Sequence, residues 1–252
     1  DPTWHILKLL AAAIGIPYVM LASTSPLLQR WLHRAHPAIS PYPLYALSNG
    51  ASLLALISFP IAVEPFLASE SQARVWSISF VLFALASTLG ALWFWKNKSS
   101  ASELNSVVPP LTPPSVRTKM LWVGLPAAAA TLLLATTNQF SLDVAAVPFL
   151  WVLPLTVYLA SFIICFSGER WYWRNLWFAA AIVATLVTSE VLIMSITVDI
   201  WSKILIYSAA LFAYCMLCHG ELARLKPPPE YLSSFYLLIA LGGAIGGFFP
   251  AV

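Results

Sequence analysis

Glu190 stands in the apolar run TLVTSEVLIMSI, beside Thr188 and Ser189. A carboxyl is costly in lipid, so one that persists there is expected to face a bundle interior or a watery cavity and either find a partner or stay protonated. A position shallow enough to reach the interface explains it equally well, and both readings stay open here. Asn138, Gln139 and Asp143 in TTNQFSLD and Glu64 in IAVEP fall near the same level once the apolar segments are laid out in order. With Asp199 they outline an anionic vestibule that would concentrate cations. Ordinary solvated acids, in loops poor in Lys and Arg, would leave the same pattern.

A second polar set is expected at the opposite face: Ser23 and Ser25 in LASTS, Asn49 in LSNG, and His219 with Glu221 in CHGE. His219 and Glu221 are two residues apart, so they do not share a helical face, and no histidine follows three or four residues on. A metal would need three or four ligands brought from separate helices. The set therefore predicts an interhelical hydrogen-bond cluster, with no metal and no cofactor. Cys215 and Cys218 form a C-x-x-C, but in an apolar segment without βαβ context this spacing predicts packing rather than redox chemistry. Gly242, Gly243, Gly246 and Gly247 also lie in an apolar segment, where spacing four favours close helix approach over nucleotide binding.

The elements that carry these residues follow from composition. With 60% hydrophobic residues, 9% charged residues and a mean hydropathy of +0.82, the chain lies far from a soluble domain, where about a quarter of residues are charged. Its net charge of +3 gives no reason to expect nucleic acid. The predicted fold is all-α, a polytopic transmembrane helical bundle. Windows of about 20 apolar residues give about eight spans, near 5–27, 44–63, 74–95, 118–138, 145–166, 175–196, 200–221 and 231–252. Residues 96–117, rich in Ser and Pro, read as a cytoplasmic linker between a first half (1–95, about three spans) and a second (118–252, about five spans). In the stretch 136–166, Pro148 and Pro154 would free backbone carbonyls that lipid cannot satisfy, so neighbouring helices are expected around it. An opening at Asp1 without methionine and an apolar run reaching Val252 fit either processing or a segment of a longer protein.

Basic residues test the layout. Arg30, Arg34, Lys96, Lys98, Arg117, Lys119, Arg170, Arg174, Arg224 and Lys226 all fall after odd-numbered spans, leaving Lys8, Arg74 and Lys203 for the other side. Lys and Arg gather on the cytoplasmic side of membrane proteins, which puts the amino terminus of this chain outside.

Four blocks carry a resemblance: STSPLLQRW (23–31), PYPLYALSNGASLLALISFPIAVEP (41–65), VAAVPFLWVLPLTVYLASF (144–162) and LCHGELARLKPPPEYLSSF (217–235). In order and spacing the chain resembles the membrane portion of the spermidine-synthase-like bacterial membrane proteins, in which a major-facilitator-like region is fused to a spermidine synthase. The resemblance implies the bacterial cytoplasmic (inner) membrane, extra helices before the first block and, in many members, a soluble aminopropyltransferase-like domain after the last. Aminopropyl transfer needs a Rossmann-like unit with a glycine-rich loop, and these 252 residues contain no strand-turn-helix pattern to supply one. No enzyme is therefore expected in this stretch. Two functions remain: a carrier, or the membrane module of one, for a small cationic metabolite such as a polyamine, with Glu190 and Asn138 along its path; or a non-catalytic accessory or scaffold subunit of a larger membrane complex. The expected partners are the lipid bilayer, other membrane subunits and a small cationic ligand. A topology reporter inserted within residues 96–117 is expected to report the cytoplasm, and a signal from the far side would overturn the orientation.

Overall fold

The structure, a computed structural model, describes residues 2–35, 39–96, 113–143, 150–194 and 198–248. Most of the 96–117 linker, Pro148 and residues 249–252 lie outside the described residues. The described chain is helical without a strand: α1 Pro2–Leu10, α2 Ile16–Ala35, α3 Tyr42–Ser58, α4 Ser69–Lys96, α5 Val116–Asp143, α6 Val152–Ser167, α7 Arg174–Ile193, α8 Ile200–Arg224 and α9 Leu232–Phe248. Single π-helical turns, Ala11–Gly15 and Phe59–Val63, join α1 to α2 and prolong α3.

Among the described residues, six helical stretches are long and apolar enough to cross a membrane, the character of a membrane-embedded protein. The window expected at 5–27 is filled by α1 and α2, which meet at a 44° bend and would count together as a seventh. The window at 145–166 holds α6, a shorter apolar helix of 16 residues. Because α6 begins only at Val152, Pro154 falls in its first turn. Backbone N–H groups there have no intrahelical partner, so Pro154 gives up nothing. Pro126 of α5 stands inside a long span and is buried; its ring leaves the Trp122 carbonyl without the usual intrahelical donor, and Pro26 lies likewise inside α2.

Capping chemistry sets the starts of the two helices that organise the bundle. Ser115, preceded by Pro113 and Pro114, accepts a hydrogen bond from the Thr118 backbone N–H at 3.1 Å and so caps the start of α5. Asp199 accepts from the Ser202 N–H at 3.0 Å and so caps α8. At its far end α8 runs into Pro227, Pro228 and Pro229, none of which has a backbone N–H to extend the ladder.

The most deeply buried helix is α8, which contributes Leu211, Cys215, Met216, His219 and Leu222 to the interior. It packs against α5, α6 and α7, while α9 lies along α5 and α3 along α6. The α5–α9 contact is a backbone approach: a Cβ at Gly242 would collide with the Val123 carbonyl oxygen, and one at Gly246 with that of Ala127. Thr131 donates to the Gly246 carbonyl at 3.0 Å, and Trp122 packs edge-on against Phe235 at 5.1 Å while its indole N–H donates to the Leu225 carbonyl at 3.0 Å. Spacing four puts two glycines on one face, so two close contacts follow from one small-residue pair. By contrast, Gly243 has open space around it. Helix α4 is different again, with no buried residue; it meets α2 where Trp31 stacks on Phe94 at 5.5 Å.

Gly246→Ala is expected to push α9 off α5 and lower stability by about 1–3 kcal/mol, the usual cost of overpacking, whereas Gly243→Ala stays near neutral. Thermal unfolding of the two variants in mild detergent checks this, and equal losses would refute it.

Candidate functional site

Asp143 closes α5, and three side chains converge on it. Gln139, one turn earlier, donates to Oδ2 at 3.0 Å; Tyr207 of α8 donates to the same oxygen at 3.1 Å; Lys203, one turn before Tyr207, brings its Nζ to 3.6 Å from Oδ1. Lys203 and Asp143 side chains are only 7% and 12% exposed. Phe140, Val191 and the Tyr207 ring form the apolar wall around them. A buried ammonium and a buried carboxylate each carry a large desolvation cost, which their attraction and added hydrogen bonds offset when geometry is good. The arrangement is thus a neutral knot that joins α5 to α8.

The other residues expected along a ligand path lie apart from this knot. Glu190 is exposed in the last turn of α7, Asn138 is exposed on α5, and Glu64 is exposed just after the π-helical turn that prolongs α3. Among the described residues no hydrogen bond joins Glu190 to Asn138, Gln139 or Asp143. Asp199 is occupied by capping: the Ser202 hydroxyl and N–H both donate to it, and these bonds hold its carboxyl below the usual carboxylate range. Gln139 and Asp143 are therefore brought together, while Glu64, Asn138 and Glu190 are not joined to them.

The second expected set divides into four separate groups. On α2, Ser23 donates to its own helix at the Met20 carbonyl, and Ser25 accepts from Gln29, whose amide oxygen in turn accepts from Tyr236 of α9. Asn49 donates to the Tyr45 carbonyl within α3. His219, wholly buried, shares a 3.0 Å hydrogen bond with Ser161 of α6 and lies against the rings of Tyr158 and Phe162, at 4.8 and 4.5 Å. Ser161 has one hydroxyl proton and two acceptors in reach, His219 Nδ1 and the Tyr158 carbonyl. Whichever it chooses, His219 Nε2 has no partner among the described residues.

Glu221 points elsewhere, into a cluster at the end of α8. Tyr172 donates to its Oε1 at 2.8 Å, and Arg174 and Arg224 reach the same oxygen at 3.0 and 3.6 Å. Gly220 makes this possible, because a Cβ there would collide with the Tyr172 ring. Burial, then the carboxylate it donates to, raise the Tyr172 phenol above its ordinary value, so it remains a donor through neutral pH. Lys203 and Glu221 are separated by 18 residues of helix, about 27 Å of rise. That matches about 30 Å of hydrocarbon, so α8 has the length to set one charged knot near each boundary of a bilayer.

Among the described residues no group of three or more His, Cys, Asp or Glu side chains could hold a metal, and Cys165, Cys215 and Cys218 are free and buried. Sequence reasoning missed Lys203, Tyr207, Tyr172, Ser161, Gln29 and Tyr236 as site residues. A signal existed for the first two: Lys203 and Tyr207 are four apart, as are Gln139 and Asp143, so each helix presents a paired polar face near its end. No family model, curated protein or solved structure matches the chain.

Lys203→Met leaves the Asp143 carboxylate buried without its cation and is expected to cost about 3 kcal/mol. Lys203→Met combined with Asp143→Asn should recover much of that loss. Equal losses in the single and double variants, measured by unfolding in mild detergent, would show that the two charges do not depend on each other.

Proposed function

We propose that this chain is a non-catalytic subunit of a larger membrane assembly and that α4 is its contact helix. The reading rests on one observation: none of the apolar window of α4 is buried within the chain, against 39% for α8 and 33% for the stretch containing α9. A helix of 28 residues leaves a whole transmembrane surface for a partner helix. Ala84 and Thr88 supply a small-residue pair at spacing four, and the Thr88 hydroxyl is folded back on the Ala84 carbonyl at 2.8 Å, which keeps that face smooth. Beside it, α2 and α4 enclose an apolar gap of about 380 Å³ that neither helix fills.

In the same reading the bent α1–α2 pair and the short α6 also cross the bilayer. The chain then has about eight spans in two halves, with its amino terminus outside the bacterial inner membrane. The resemblance to spermidine-synthase-like membrane proteins leaves a polyamine carrier as the second reading. It draws less from the geometry, since Asp143 already has Lys203 as its cation and Glu190 stands apart from it.

A photo-crosslinking side chain at Leu89, an exposed α4 position, is expected to capture a second polypeptide in native membranes, whereas one at Leu205 on α8 serves as a lipid-facing comparison. Adducts to lipid alone at both positions, together with a lone protein after gentle extraction, would sink the subunit reading. Uptake of a labelled polyamine into proteoliposomes that is lost in Glu190→Gln would favour the carrier instead.

A further inference from the structure

Along the outer side of α7 and α8 runs a trough that neither charged knot occupies. At its head, where α6 gives way to α7, Arg170, Trp171, Trp173, Leu176 and Trp177 surround about 620 Å³. Below lies an apolar stretch of about 470 Å³ between α7 and α8. Leu176 and Trp177 line both, so the two adjoin at these side chains. The lower part exists because its floor is alanine, including Ala180, Ala184, Ala209 and Ala213. Helices packed through such residues leave a groove that larger side chains would fill.

Head and trough differ in chemistry. The Arg170 guanidinium lies over the Trp171 ring at 5.2 Å, and no carboxylate among the described side chains pairs with it, unlike Arg174 and Arg224, which both meet Glu221. Trp171 and Trp173 are exposed, and exposed tryptophans at the end of a span belong to the headgroup region. The Trp177 indole N–H has no acceptor among the described residues. From Leu176 to Val187 the helix rises about 16 Å, half of a hydrocarbon core about 30 Å thick. The trough therefore spans one leaflet, cationic at the headgroup level and apolar beneath it.

We propose that this trough is a binding site for a single anionic phospholipid, with its phosphate on Arg170, its glycerol region between Trp171 and Trp173, and one acyl chain along the alanine floor. An apolar transmembrane helix laid in the groove would bring no anion to the Arg170 guanidinium, and a free phosphate would make no use of the apolar stretch. The site is independent of α4 and of the subunit reading.

The intact chain in mild detergent, titrated with phosphatidylglycerol or phosphatidylcholine and followed by native mass spectrometry, tests it. Wild type is expected to retain phosphatidylglycerol over phosphatidylcholine. Arg170→Gln, at an exposed position, should weaken the anionic lipid about fivefold, the factor expected for one basic residue at a membrane surface, and weaken phosphatidylcholine less, because its choline already offsets the phosphate charge. Ala184→Leu should reduce retention of both, with circular dichroism confirming that the helices are intact. If Ala184→Leu fails to fold, Ala180→Leu takes its place. Equal retention of the two lipids by wild type, unchanged phosphatidylglycerol binding in Arg170→Gln, or full competition by inorganic phosphate would each overturn the proposal.

Discussion

A lysine and a carboxylate carried on two apolar helices are each unstable in hydrocarbon and tolerable only when they meet. Lys203 and Asp143 meet at the start of α8, with Gln139 and Tyr207 supplying the remaining hydrogen bonds to the carboxylate. At the other end of the same helix, Glu221 gathers Tyr172, Arg174 and Arg224. Between these ends α8 is mostly apolar, with His219 bonded to Ser161, and packs on α5, α6 and α7. The two knots thus set the register of α8 against its neighbours, since sliding by one residue would withdraw a charge from its partner.

Once α8 is placed, backbone proximity does the rest. Trp122 of α5 reaches the Leu225 carbonyl just past α8, and Gly242 and Gly246 bring α9 onto α5 at distances that admit no side chain. Tyr42 of α3 donates to the Pro227 carbonyl in the turn between α8 and α9, and Lys226 lies over its ring at 5.7 Å. Helix α3 is thereby tied to the same structure as α5, α8 and α9. Helix α4 has no comparable tie, which is why its surface differs in meaning from that of α9 although both are strongly apolar.

The anionic vestibule drawn from the sequence depended on counting acids at one level. Geometry gives those acids separate tasks: Asp143 neutralises Lys203, Asp199 caps α8, and Glu64 and Glu190 are exposed. The expected second cluster divides for a related reason. His219 and Glu221 are two residues apart, so a helix sends one inward to Ser161 and the other outward to two arginines.

What the sequence determined by itself is the class of solvent and the class of element. Sixty percent hydrophobic residues in windows of about twenty require helices, because hydrocarbon offers backbone groups no other partner. It also marked the glycines at spacing four and the charged residues at helix ends. It could not assign partners, because apolar helices resemble one another and lipid accepts any of their faces. That Asp143 meets Lys203, that Tyr172 fills the space beside Gly220, and that α9 rather than α4 lies on α5 are decisions of the tertiary structure. They turn on which backbones approach closely enough for a few directional contacts to form, a property of pairs of helices that no single segment contains.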